Sequence, residues 1–297
     1  MKTKAMSVAR CLVMAWVPVA FFDARVALGQ EAKAAAEGKD ETQESANKRR
    51  LAEMRRLADT IQVTVGQGDE SKEAKLIEKP LFRFSDPRLY SDGSVWAWAI
   101  AGRPVMMVEF RTHFRNESVW AHDVVATSDV RVLAQIADRG KWAPQEPDLK
   151  LLPVSDLGVP ARSEAGRLRQ MKHFADSLNA TKVWETQRAE LRLLPTEIYR
   201  YSDAKSGLVD GAAFAFAEDN NPEAILFVEA HKSDMGPGAP ESWKYGLARM
   251  SAAALTFRLG DSDIWSVPRS FGGPRETYYV FTRTVPAARG PDDDYLK

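Results

Sequence analysis

Four side chains come closest to a chemical constellation in this chain of 297 residues: Glu229, His231, Arg200 and Tyr245. Glu229 and His231 are two apart in an alternating stretch, AILFVEAH, so in a strand they share a face. Arg200 and Tyr245 fall in stretches read as neighbouring strands. Brought together, carboxylate, imidazole, guanidinium and phenol supply a base, an acid and an anion clamp, enough for a hydrolytic site assembled from distant residues. A recurrence stands against that reading. Arg83 and Glu109 repeat as Arg200 and Glu229, and a pair that occurs twice reads as an inter-strand scaffold ion pair before it reads as one active site. Burying such a pair costs desolvation and serves specificity more than stability.

The other reactive residue types are sparse. His113, His122 and His173 complete the histidines. None has the HExxH spacing of a helical zinc site and no two lie within chelating distance in sequence, so no metal is expected. His173 falls on the polar side of a helical stretch and His122 on an amphipathic strand. GxSxG, GxxxxGK[ST] and GxGxxG are all missing from the sequence, which removes the usual support for an α/β-hydrolase, a P-loop NTPase or a dinucleotide enzyme, and no cofactor is expected. Trp96, Trp98, Trp120, Trp142, Trp184, Trp243 and Trp265 would suit a carbohydrate or apolar groove, but their alternation with small residues reads as core. The triplets at Asn116 and Asn179 and the acidic run Asp292 to Asp294 read as chance matches and a solvated tail.

Composition bounds the rest. Hydrophobic residues make up 44% of the chain, enough for a sizeable core, and Lys plus Arg balance Asp plus Glu at 41 each, so a nucleic-acid partner is not expected. Residues 1–29 read as an export signal: basic Lys2, Lys4 and Arg10, an apolar run from Cys11 to Phe22, and small residues around a cleavage point after Gly29. The only cysteine, Cys11, sits inside it. The exported chain would then hold no thiol, which rules out disulfides, Cys-ligated zinc and a cysteine nucleophile. It would be slightly acidic, with 37 positive against 40 negative groups. Retention of the segment as an uncleaved anchor is the alternative.

These residues are positioned by two copies of one unit. Offset by 117 residues, the segment 50–86 aligns with 167–203 without a gap, matching Arg50 with Arg167, Met54 with Met171, Arg83 with Arg200 and Asp86 with Asp203. DGSVWAWA at 92–99 meets DGAAFAFA at 210–217, Glu109 meets Glu229, Trp120 meets Trp243 and Trp142 meets Trp265. Each copy opens with a three-four apolar spacing, Leu51, Met54, Leu57, Ala58 and Ile61 in the first, Leu168, Met171, Phe174, Ala175 and Leu178 in the second, which predicts a helix. Alternating segments with tight turns follow, which predicts antiparallel strands. The expected fold is α+β: an internal duplication in which each copy is one N-terminal helix packed on a curved antiparallel sheet of five to six strands. The organisation reads as signal 1–29, flexible spacer 30–46, repeat 1 at 47–144, Pro-rich linker 145–163, repeat 2 at 164–283 and tail 284–297. A last strand from Thr277 to Thr282 is expected to complete the second sheet.

The second copy, through LRLLPTEIYRYSD, DGAAFAFAEDNNPEAILFVEAH and WKYGLARMSAAALTFR, resembles a family of exported bacterial proteins of no assigned function. The likeness covers most of 164–268 and implies export and a shared fold, with no activity, ligand or site residue to carry over. The leading expectation is a non-catalytic binding or structural role in the cell envelope, with an envelope protein or a small apolar ligand as partner. A hydrolase with its site in the second repeat or the inter-repeat cleft is one alternative, and a carrier of a small apolar ligand held between sheet and helix is the other.

Overall fold

The structure, a computed structural model, describes residues 43–86, 91–113, 116–147, 149–154, 156–232 and 241–285. The signal segment with Cys11, most of the spacer, and the tail with Asp292 to Asp294 lie outside the described residues. The chain divides into two compact units, Met1–Lys48 and Arg49–Lys297, and the architecture that follows is that of the second.

Helix α1 (43–59, of which 49–59 belong to this unit) leads into β1 Ile61–Val65, β2 Lys72–Leu76, β3 Phe82–Asp86, β4 Ser91–Ile100, β5 Arg103–His113, β6 Asn116–Ala126, β7 Val132–Ile136 and β8 Gly140–Trp142. After β9 Leu152–Val154 come α2 Glu164–Asp176, β10 Leu178–Trp184, β11 Gln187–Leu193, β12 Tyr199–Asp203, β13 Leu208–Glu218, β14 Asn221–His231, β15 Ser242–Arg249, β16 Ala254–Leu259, β17 Ser262–Val267 and finally β18 Tyr278–Thr284. One sheet is ordered β8-β7-β1-β2-β4-β5-β6 with β3 also on β4, the other β17-β16-β10-β11-β13-β14-β15 with β12 on β13. Setting β1 against β10, and so on to β8 against β17, makes the two orders identical.

The expected α+β unit of one helix on five or six strands is therefore wrong in weight and in count. Strand makes up 55% of the structure and the two antiparallel sheets are curled, with eight to nine strands each. The undercount has a local cause. β1 and β2 read IQVTV and KEAKL, and β10 and β11 read LNATKVW and QRAELRL, with few apolar residues interspersed among polar ones, a weaker mark than the long apolar runs of β4 and β13. The helical spacing also overran: Ile61 and Leu178 already belong to β1 and β10. Each helix stops where a hydroxyl bonds back to a carbonyl three residues earlier, Thr60 Oγ1 to Leu57 O and Ser177 Oγ to Phe174 O, both 2.7 Å.

The ninth strand of each sheet comes from outside its repeat. β18 pairs with β6 of the first sheet, Phe281 opposite His122, so the C-terminal strand does not complete the second sheet as expected. β9, from the linker, pairs with β15 of the second sheet, Leu152 opposite Tyr245.

Packing follows the alternation of β4 and β13. Trp96 and Trp98 face α1 with Met54 and Leu57, and Phe214 and Phe216 face α2 with Met171 and Phe174. The small residues between them, Val95 and Ala97 in the first sheet and Ala213, Ala215 and Ala217 in the second, join one core cluster between the sheets. Small side chains there let the two sheets approach back to back while the large ones fill the space under each helix. The same polar clamp ties helix to sheet in both repeats. Asp92 Oδ2 accepts from Arg50 Nε at 2.7 Å and Arg83 Nη2 at 2.8 Å, and Asp210 Oδ2 accepts from Arg167 Nε and Arg200 Nη2, both at 2.7 Å.

Candidate functional site

The four residues singled out in the sequence fall on two faces of the second sheet. Tyr201, Gly211 and Glu229 are in register across β12, β13 and β14, while Arg200, Ala212, Val228 and Tyr245 are in register one position along and so point the other way. Glu229 and His231 do come together, with His231 Nε2 2.7 Å from Glu229 Oε2. Arg200 instead clamps Asp210 beside α2, and the Tyr245 ring packs 5.2 Å from that of Phe174. Arg83 likewise pairs with Asp92, so the inter-strand pairs expected of Arg83 with Glu109 and Arg200 with Glu229 are not formed.

Glu229 is fully buried between the sheets and accepts from Tyr201 OH at 2.7 Å and from Arg103 Nε at 2.9 Å, the arginine being at the tip of the β4–β5 hairpin of the other sheet. Burial works to raise its pKa, but the hydrogen bond from His231, the Arg103 charge and the Tyr201 hydroxyl outweigh burial and hold the carboxyl below its ordinary value. Burial and the neighbouring carboxylate push the Tyr201 phenol well above its ordinary range. An imidazole oriented by a buried carboxylate can act as a general base, yet here the other carboxylate oxygen is spent on Arg103 of the other sheet and Tyr201 of its own.

The corresponding place in the first repeat has other chemistry. Gly93 is opposite Arg111 and Gly211 is opposite Glu229, so the positional counterpart of Glu229 is Arg111 rather than Glu109. Glu109 lies two residues back, opposite Asp123 on β6. Arg111 Nη1 stands 3.1 Å from Glu109 Oε1 but off the line that a hydrogen bond requires, leaving both carboxylate oxygens of this fully buried residue without one. Burial drives the Glu109 carboxyl well above the usual range, Asp123 and Glu223 push the same way, and Arg111 and Lys182 oppose them. Asp123 is itself raised by burial and accepts from Tyr278 OH, and Lys182 Nζ pairs with Glu223 Oε1 at 2.6 Å. Among the described residues no group of three or more His, Cys, Asp or Glu is arranged to hold a metal ion.

A cavity lies elsewhere, in the second sheet, where the edges of the curl approach. Its volume is about 350 Å³ and it is lined by Lys150 and Leu152, by Tyr245, Gly246 and Leu247 of β15, and by Ile264 and Trp265 of β17. The matching seam of the first sheet is shut. There Trp142 Nε1 donates to Glu276 O at 2.9 Å, Ala143 N to Pro274 O at 2.8 Å and Arg139 to Thr282 O, all across the edge. Phe281 stacks on His122 with ring centroids 4.6 Å apart, Tyr279 packs against Phe281 at 5.0 Å, and the Arg139 guanidinium covers Phe281 at 4.9 Å. His122 and Tyr245 are counterparts, each two residues beyond the tryptophan of its strand, so Leu152 stands where Phe281 stands, and Lys150, just ahead of β9, precedes Leu152 by the two residues that separate Tyr279 from Phe281. Two aromatic side chains that plug the first seam are thus a leucine and a lysine in the second, and Trp142, buried in the first, becomes half-buried Trp265.

Of the lining residues, sequence reasoning had singled out Tyr245 and Trp265 and missed the rest. The signal was available in the linker: LKLLPVS at 149–155 set against YYVFTRT at 278–284 shows the exchange of Tyr279 and Phe281 for Lys150 and Leu152. A shallower groove of about 380 Å³ flanks α2, lined by Asp156, Arg169, Gln170 and His173, where His173 is exposed. No protein-family model, no curated protein and no solved structure matches this chain.

Proposed function

We propose that this is an exported, non-catalytic binding protein of the cell envelope that holds a small molecule in the open seam of its second sheet. The observation that carries the reading is the difference between two seams of one architecture, the first filled by Phe281 and Tyr279 and the second left with a cavity at the low end of the size of small-molecule sites. The lining supports binding rather than turnover, since Lys150 and Tyr245 are its only titratable groups. Export rests on the basic opening and short apolar run of residues 1–29.

The test is native against denatured mass spectrometry on the protein purified from an exporting host. A non-covalent mass present in the native spectrum, lost on denaturation and missing from a Leu152→Trp variant, is the expected result, together with a denatured mass corresponding to cleavage after Gly29. A bare native chain that also takes up nothing from a library of small apolar compounds overturns the binding role.

A hydrolase reading is favoured by one observation, the 2.7 Å contact of His231 with Glu229. The bond from Arg103 of the other sheet to the same carboxylate accounts for that geometry as a tie between the sheets, with Tyr201 bracing it from within its own.

A further inference from the structure

The plug of the first seam describes what the second seam lacks. In the first sheet the position opposite His122 presents a flat ring, Phe281, stacked on the imidazole at an interplanar angle of 20°. Opposite Tyr245 the chain presents Leu152, 44% exposed, and leaves the Tyr245 and Trp265 rings bordering open space. Lys150, exposed and as far ahead of Leu152 as Tyr279 is of Phe281, is the only charged group among the lining residues.

From this exchange we infer that the ligand of the second seam is a planar aromatic anion, its ring filling the space beside Leu152 that the smaller side chain leaves open and its carboxylate, sulfonate or phosphate meeting Lys150. The inference rests on the binding role proposed above and adds the ligand's class. An aromatic body is favoured because offset stacking on Tyr245 and contact with Trp265 gain more for a rigid ring than for a flexible chain that must be ordered. The anion is favoured because a lone ammonium at the rim of the cavity selects by charge and by steering more than by raw affinity.

Two fluorescent probes of similar shape separate the parts of the claim: 1-anilinonaphthalene-8-sulfonate, which is anionic, and N-phenyl-1-naphthylamine, which is neutral. On the folded protein the sulfonate is expected to bind saturably at one site, tighter than the amine by about two- to fivefold, as one exposed charge pair provides. Lys150→Gln should remove that preference and leave amine binding unchanged. Leu152→Phe, which copies the first seam at an exposed position, should abolish binding of both, and Ile264→Glu, which sets a carboxylate in the opposite wall, should do the same. Equal affinity for the two probes, or sulfonate binding unaltered by Lys150→Gln, overturns the ligand class and leaves the site standing. Failure of both probes to bind, or binding unmoved by Leu152→Phe and Ile264→Glu, overturns the site and the binding role with it.

Discussion

The Tyr201 ring fills the space in which a side chain at residue 211 would begin: a Cβ on Gly211 would stand 2.6 Å from Tyr201 Cε2. The first repeat has the same arrangement, with a Cβ on Gly93 reaching within 2.3 Å of Phe84 Cζ. These glycines of the two Asp-Gly pairs are therefore required by a neighbouring ring rather than by a turn, since both sit within strands. Gly211→Ala and Gly93→Ala are expected to destabilise by about 1–3 kcal/mol each through overpacking. Urea unfolding checks the size, and Phe84→Leu added to Gly93→Ala should return part of the loss.

The Asp92 and Asp210 clamps should respond alike. Each aspartate is nearly fully buried between a helix arginine and a strand arginine. Asp92→Ala or Asp210→Ala leaves buried guanidinium charge without its partner, and a loss of about 3–5 kcal/mol is expected for each. Thermal or urea unfolding of the two variants side by side tests it, and a loss below 1 kcal/mol in either would show that the clamp is not what seats that helix.

Glu109 sets a pH dependence of definite sign. Its carboxyl is raised in the folded protein by burial and by Asp123 and Glu223, against Arg111 and Lys182, with Tyr278 and Arg249 also bearing on the cluster through Asp123. The folded state thus holds a proton that the unfolded chain releases near the ordinary glutamate range, so this residue's contribution to stability declines as pH rises above that range. Glu109→Gln should raise the urea midpoint near neutral pH and flatten its fall as pH rises above the ordinary glutamate range. An unchanged pH profile would show that Glu109 is ionised in the fold.

Glu229 should act in the opposite sense. Its folded pKa is lowered, so its stabilisation is present above the ordinary glutamate range and is lost as pH falls through the lowered value. Glu229→Gln should cost about 3–5 kcal/mol at neutral pH, because Arg103 loses its buried partner, and should remove that acid limb. His231→Ala should cost less, the imidazole being partly exposed. If an activity is found, its survival in both variants would show that the pair is scaffold.

The plug can be drawn in reverse. Phe281→Ala removes a side chain 7% exposed from the first core and should destabilise by about 3–5 kcal/mol. Where the variant still folds at low temperature, it should gain a second saturable site for the neutral naphthylamine, measured against the single site of the parent protein.

Much of this fold is written locally and could be read there. The helix stripes at Met54, Leu57, Met171 and Phe174, and the alternation of Trp96 and Trp98 with Ala97, depend on neighbours a few residues away, and the packing uses them as the pattern implies. The pairing of β18 with β6 and of β9 with β15 depends on edges far apart in the chain, for which three linker residues or seven C-terminal ones carry no local mark. The match of Glu109 with Glu229 misled by two positions, because a shared residue type was weighed above hairpin spacing: Gly93 to Arg111 and Gly211 to Glu229 are equal spans. The candidate site was legible only through Tyr245 and Trp265. Its cavity is set by what β9 does not supply, and a missing ring is visible only once β9 and β18 are known to be counterparts.

The placement of β18 also fixes an order of assembly. All nine strands of the second sheet are available once the chain has been made as far as Val267, but the first sheet waits for Tyr278–Thr284 before Phe281 can close over His122. The repeat that emerges first is the one that finishes last. Until then its β6 edge and the apolar seam beneath it stay open, and a strand pairing across so long a stretch of sequence adds loop-closure entropy to the barrier. The first sheet is thereby held short of its final state until Tyr278–Thr284 has been made.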